Sequence, residues 1–305
     1  MKINMKEQRF GLELEFTGIT RGKAAAAIAQ TINGDHYYSR AAGYDRRTVE
    51  DASGRIWTIC SDASVTGSYN GDGGEFVTPV CTYEDIETVQ ECIRALRKAG
   101  AKVDNSCGLH IHVDGKNHTA KSLKNLVFTF KAKQDLIYKA AGAEDRKENY
   151  YCKPLDDELI GGIKKLRKVT DETIKDTWYG TYAPYGNRDA HYNDSRYHGL
   201  NLHSMWYRGT VEFRLFHATL HAGEVRAYIN LCLAMSAAAI NSTRASAEVL
   251  DNGNEKYAMR CWLLRLGFIG DEWATVRQHL LKRLDGNAAW RNDPQTYESY
   301  RNRTA

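Results

Sequence analysis

The sequence predicts an α+β fold built on a mostly antiparallel sheet. Several short segments alternate apolar and polar residues with a period of two. They are separated by turns, by glycine-rich loops and by stretches of helical period. With 305 residues the chain buries about three quarters of its unfolded surface on folding and needs no disulfide or metal to complete a core.

The elements follow in order. Phe10, Leu12, Leu14 and Phe16 alternate with Gly11, Glu13, Glu15 and Thr17, so both glutamates face away from the buried side of a first strand. Residues 22–32 read as a helix ended by Asn33 and Gly34. Residues 55–62 and 74–80 are shorter alternating runs. Thr82 then caps a helix with acidic residues in its first turn, Ile86, Val89, Ile93 and Leu96 along one face, and Arg94, Arg97 and Lys98 before Gly100. Cys107, Leu109, Ile111 and Val113 alternate with His110, His112 and Asp114. A long helix over 120–141, a strand over 198–203 and a strand carrying Val211, Phe213 and Leu215 against Glu212 and Arg214 come next. Helices over 222–241, 255–266 and 272–284 finish the pattern, the last with Asp271 as N-cap.

Composition narrows the class. Hydrophobic residues make up 42% and charged residues 26%, which describes an ordinary soluble globular protein. The apolar run 228–240 is shorter than a membrane span and contains Asn230 and Ser236, so it predicts a buried helix. The first residues lack the apolar region of a secretory signal, and seven cysteines without a Cys-x-x-Cys pair suit reduced thiols, so the expected location is the cytoplasm with no membrane contact. A net charge of +4 is too slight for a dedicated nucleic-acid binder, although a nucleotide or a modified base is compatible with it. The basic stretch 282–303 is interrupted by acidic residues and reads as a solvated tail.

Three strands each place two ligand-type side chains on the polar face two residues apart: Glu13 with Glu15, His110 with His112, and Glu212 with Arg214. Like charges so close repel unless neutralised, and a divalent cation is the simplest neutraliser. Carboxylates with an imidazole suit magnesium or manganese. A glycine-rich loop over 68–74 delivers a further carboxylate, Glu75, to the start of a strand; it lacks the lysine of a phosphate loop. A His-x-His pair also occurs in zinc sites, so a zinc-dependent hydrolase using His110, His112 and Glu212 is the alternative enzyme reading. A nucleotide-binding relative without catalysis is the alternative outside enzymes. The planar guanidinium of Arg214 suits a phosphate, and Arg196 is a second candidate for such a contact.

The segments GLELEF at 11–16, SDAS at 61–64, GGEFVTP at 73–79, CGLHIHVD at 107–114, RYHGLN at 196–201 and TVEFRLF at 210–216 resemble the amidoligase family. These are carboxylate-amine ligases similar to glutamine synthetase and glutamate-cysteine ligase. The resemblance implies a curved antiparallel sheet of glutamine-synthetase type with helices on its convex face. It also implies ATP and Mg2+ or Mn2+ on the concave face, and an amide or peptide-like bond made through an acyl phosphate. It implies that Glu13, His110 and Glu212 hold the cation on the ATP phosphates and that Glu15 and Glu75 hold the one beside the substrate. Arg214 and Arg196 would then contact phosphate, and Asp62 and Ser64 would occupy the family's Asp-Gly-Ser turn, with Ala63 here in place of glycine. His112 receives no role. The substrates are a carboxylate and an amine, from small molecule, peptide or protein, and the tyrosine-rich segment 178–207 is a candidate pocket lining. The family segments end with the helix over 222–241, so residues 1–242 are expected to form the catalytic domain and 243–305 a helical extension and tail.

Overall fold

In the computed structural model, which describes residues 2–38, 43–249 and 253–290, eight strands form one open sheet in the order β2-β3-β4-β5-β1-β6-β8-β7, and every neighbouring pair is antiparallel. The strands are β1 (Phe10–Thr20), β2 (Asp35–Tyr38), β3 (Arg47–Glu50), β4 (Ile56–Cys60), β5 (Asp72–Val77), β6 (Gly108–Asp114), β7 (Leu200–Asn201) and β8 (Thr210–His217). The α+β expectation holds. The described residues include no helix long and apolar enough to cross a membrane.

β1 lies between β5 and β6 and organises the sheet. Phe10, Leu12, Leu14 and Phe16 are buried together with Leu109, Ile111 and Val113 of β6 and Val211, Phe213 and Leu215 of β8. Each such side chain contributes roughly 1.5–3 kcal/mol by leaving water, which is why these three strands carry a period-two pattern. The same core takes in α1 (Arg21–Ile32), α2 (Ile86–Lys98), α3 (Ala120–Ala141) and α7 (Ala222–Asn241). These helices form for the reasons read from the chain. Asn33 is left-handed at the end of α1, Thr82 makes a capping box with Asp85 ahead of α2, and α3 ends at left-handed Gly142.

The remaining helices are α4 (Asp157–Lys165), α5 (Asp171–Tyr182), α6 (His203–Arg208), α8 (Glu255–Arg265) and α9 (Ala274–Leu281). A single 3-10 turn, Asp271–Trp273, precedes α9, whose cap position is Trp273 rather than the expected Asp271. Met259 and Leu263 of α8 and Val276 and Leu280 of α9 enter the same core as α7. Glu224 in the first turn of α7 is held by Lys282 and by Nη2 of Arg283 at 2.7 Å, while Thr219 Oγ1 donates to its other oxygen at 2.8 Å. The tail beyond residue 290 lies outside the described residues.

One expected strand is largely absent. Of residues 198–203 only Leu200–Asn201 pair with β8, because Asn201 Oδ1 accepts the backbone N–H of His203 at 2.8 Å and turns the chain into α6. Strands β2 and β3 were not predicted: all four residues of β2 are exposed, and β3 buries Val49 alone, so neither carries an apolar stripe.

Candidate active site

The polar faces of β5, β1, β6 and β8 lie side by side, and the register converts four separate sequence segments into one row. Glu75 pairs with Glu15, Glu13 with His110, and His112 with Glu212. Cys60 of β4 lies beside Glu75 at one end, and Asn201 of β7 beside Glu212 at the other. Two glycines make the row possible. Gly74 has φ +155°, and a Cβ there would come within 2.3 Å of the Cys60 carbonyl oxygen. At Gly108 a Cβ would lie 3.0 Å from His110 Nε2 and 3.2 Å from Arg146 Nη2. Arg21, buried at the start of α1, donates to the Ser68 and Gly73 carbonyls at 3.1 and 2.7 Å and so fixes the loop that brings Glu75 into place.

Three groups in this row bring ligand atoms within 4.8 Å of one another: Glu13, His112 and Glu212; Glu13, Glu75 and His110; and Glu15, Glu75 and Asp62. Glu13 and Glu75 each belong to two groups. His110 Nδ1 is 3.3 Å from Glu13 and 3.9 Å from Glu212, and His112 Nε2 is 3.4 Å from Glu13 and 3.8 Å from Glu212. The position beside Glu13 and Glu212 that the resemblance gave to His110 is therefore shared by His112, which had no assigned role.

The chemistry of the donors fits hard divalent cations. His112 Nδ1 is 3.0 Å from the Thr210 hydroxyl, which leaves Nε2 buried, turned toward the two carboxylates and without a hydrogen-bond partner. A ligand imidazole is commonly oriented through its other nitrogen in this way. The groups contain carboxylate oxygens and imidazoles and no sulfur, a donor set suited to Mg2+ or Mn2+. Burial pushes the Cys60 thiol up to about 12, so it remains protonated beside Glu75.

Electrostatics divide the row into two ends. At the Glu212 end burial opposes ionisation, but Arg214, His112 and His110 together outweigh it and hold Glu212 at about 2. Glu13 likewise stays well below the carboxylate range despite burial, because His112 and His110 face it. His110 is lowered to about 4 by burial and by Arg214, whereas the carboxylates of Glu212 and Glu13 raise His112 against its burial. At the other end burial lifts Glu15 to about 7 against the opposing N–H of Gly108, and burial plus Glu13, Glu15 and Asp62 raise Glu75 well above its usual value.

A cation taken up beside Glu15 and Glu75 must therefore displace their protons. Mn2+ affinity is expected to rise with pH by at least about tenfold per unit below pH 7, with proton release that calorimetry detects in buffers of different ionisation enthalpy. An affinity independent of pH between about 5.5 and 7 would contradict the proton inventory of these carboxylates.

The other expected residues are placed as follows. Asp62 reaches the row from the turn after β4, and Ser64 donates to it through its backbone N–H at 2.7 Å and its hydroxyl. Arg214 donates from Nη1 to Glu212 Oε1 and is 7% exposed. Arg196 lies outside the row: it packs on the rings of Tyr192 and Tyr197 and donates to the His191 carbonyl at 3.2 Å. Residues that the sequence reading did not single out complete the surroundings. Asn201 Nδ2 donates to Glu212 Oε2 at 2.7 Å, Arg146 Nη2 donates to the Arg214 carbonyl at 3.3 Å, and Arg208 Nη1 donates to Glu13 Oε1 at 3.3 Å. Asn201 lies within the segment RYHGLN and was legible there; Arg146 and Arg208 stand in segments with no pattern. A cleft of about 370 Å³ opens beside Glu13 and His112, walled by Gly11, Val77, Pro79 and Arg208 among others.

An open antiparallel sheet with a buried row of carboxylates and imidazoles across four strands is the frame that the sequence segments define. The model of a family described as "Putative amidoligase enzyme" matches residues 6–236, and the chain belongs to that family. No curated protein matches the chain. Among solved structures, the bifunctional glutathione synthetase from Pasteurella multocida is similar at a TM-score of 0.39 and 11% identity, over 90% of this chain and 47% of that one. The chain thus spans about half the length of that enzyme, and a likeness this distant carries no functional meaning.

Proposed function

We propose that the protein is an ATP-dependent ligase that joins a carboxylate to an amine through an acyl phosphate. The observation that carries this reading is the row itself: three adjoining cation groups that share Glu13 and Glu75, in a chain of the amidoligase family. In this reading Glu13, His110, His112 and Glu212 hold cations on the nucleotide phosphates, and Glu15, Glu75 and Asp62 hold one beside the substrate carboxylate. The cleft next to Glu13 takes the nucleoside. Bound Mg2+ or Mn2+ supplies positive charge to the phosphoryl oxygens, and the rest of catalysis is positioning.

The substrate carboxylate attacks the γ-phosphorus and ADP leaves; the amine nitrogen then attacks the acyl carbon, phosphate leaves, and the nitrogen loses a proton. No protein nucleophile is required. The roles of the chain are to keep Glu13 and Glu212 ionised, to orient His112 through Thr210, and to hold Glu212 between Asn201 and Arg214.

Hydroxylamine trapping across a panel of carboxylates tests the reading directly. A hydroxamate formed together with equimolar ADP and phosphate is expected for at least one carboxylate. Millimolar Mg-ATP is also expected to raise the melting temperature, because a ligand that binds only the folded state stabilises it by mass action. No shift with Mg-ATP and no ADP release would sink the ligase, and one tightly held zinc per chain, required for activity, would favour the hydrolase.

A further inference from the structure

Arg208 is the last residue of α6, followed by left-handed Gly209, and its side chain is 43% exposed at the rim of the cleft. Its two terminal nitrogens have different partners. Nη1 donates to Glu13 Oε1 at 3.3 Å, and Nη2 donates to His191 Nε2 at 2.8 Å. The ring of His191 is in turn stacked on Tyr207 at 5.2 Å and 15°. Glu13 Oε1 is also the oxygen that faces His112 Nε2 at 3.4 Å, in the group that Glu212 completes. A divalent cation on Glu13 Oε1 would stand close to this guanidinium, and the two positive charges would repel each other. Such a cation would weaken the hold of Glu13 on Arg208, and the exposed guanidinium has the open cleft beside it. A planar fork there matches phosphate oxygens.

Resting on the nucleotide reading above, we propose that Arg208 exchanges partners: it neutralises Glu13 while the cation group is empty, and it contacts the nucleotide phosphates once a cation occupies Glu13. His191 keeps the guanidinium at the rim in both arrangements.

The test uses the full chain and two probes, Mn2+ alone and Mg2+ with a non-hydrolysable ATP analogue, each titrated by calorimetry into wild type, Arg208→Gln and Arg208→Lys. Melting curves confirm that the variants fold, as expected for a half-exposed side chain. In Arg208→Gln, Mn2+ alone should bind about tenfold more tightly, about 1.4 kcal/mol, because its competitor is gone. The Mg2+ analogue should bind about tenfold more weakly. Lysine restores the charge without the fork and should return both values part of the way. Unchanged affinities, or both weakened together, would overturn the exchange. A wild type that binds no analogue would refute the nucleotide reading and this proposal with it. A wild type and Arg208→Gln that bind the analogue equally would refute the Arg208 assignment alone.

Discussion

Glu13→Gln is expected to reduce nucleotide-dependent turnover by about 10³-fold or more while leaving the protein folded. Removing a single stabilising group in a water-poor site commonly costs 10²–10³ in rate. Glu13 stands in two of the three cation groups, so its loss is felt at both. Glutamine keeps the shape of the side chain and one acceptor oxygen, but it removes the charge that a hard cation requires. The fold should tolerate this change, because Glu13 lies on the polar face of β1, opposite the buried Leu12 and Leu14. Its ion pair with half-exposed Arg208 contributes little to stability. ADP release and thermal melting, measured side by side, decide the matter: turnover within tenfold of wild type would remove Glu13 from the mechanism, and a collapsed melting temperature would make it a structural residue.

Arg214→Met should instead show itself first in stability. Glu212 is almost fully buried, and Arg214 is the foremost of the groups that keep it ionised, ahead of His112 and His110. Breaking a buried pair by removing one partner costs about 3–5 kcal/mol. For a chain of this size that lowers the melting temperature by roughly 5–8 °C. Arg214→Lys should lie between, since it restores the charge but not the planar fork. Because Glu212 titrates near 2 in the folded protein, the stabilisation it gives is complete above the ordinary carboxylate range and disappears as pH falls toward 2. The deficit of the methionine variant should therefore shrink in acid. Added Mn2+ should stabilise that variant more than wild type, because the ion supplies the charge that Glu212 has lost. A variant that melts like wild type at pH 7 would show that Asn201 and the two histidines suffice for Glu212.

The parts legible in the sequence are those in which one physical demand dominates. Strands β1, β6 and β8 bury one whole face, so their alternation announced both the core and the side on which Glu13, Glu15, His110, His112, Glu212 and Arg214 stand. Strand β2 has no buried face and left no such trace. Which of the polar residues meet depends on register, and register is a property of pairs of strands. β8 carries one residue more than β6 between the pairs Ile111–Phe213 and Leu109–Phe216, which breaks the alternation near Arg214 and buries Leu215 and Phe216 in succession. The grouping of His112 with Glu212 lies in the regular part of that register, and Arg214 stands within the irregular part. Arg208 was invisible because its partner Glu13 is 195 residues away along the chain.

That separation also bears on how the protein reaches its native state. The row is assembled from β5, β1, β6 and β8, with β7 and α6 adding Asn201 and Arg208, so no local hairpin contains a complete cation group. Contacts of such high sequence separation form late, since long loops must close before they are rewarded. If the row binds cations as proposed, a nascent or partly folded chain presents helices and single hairpins but no complete group for Mn2+, and recovery of Mn2+ binding during refolding should lag behind recovery of helical signal. On that reading the distribution of these residues along the chain keeps immature molecules from taking up the ion.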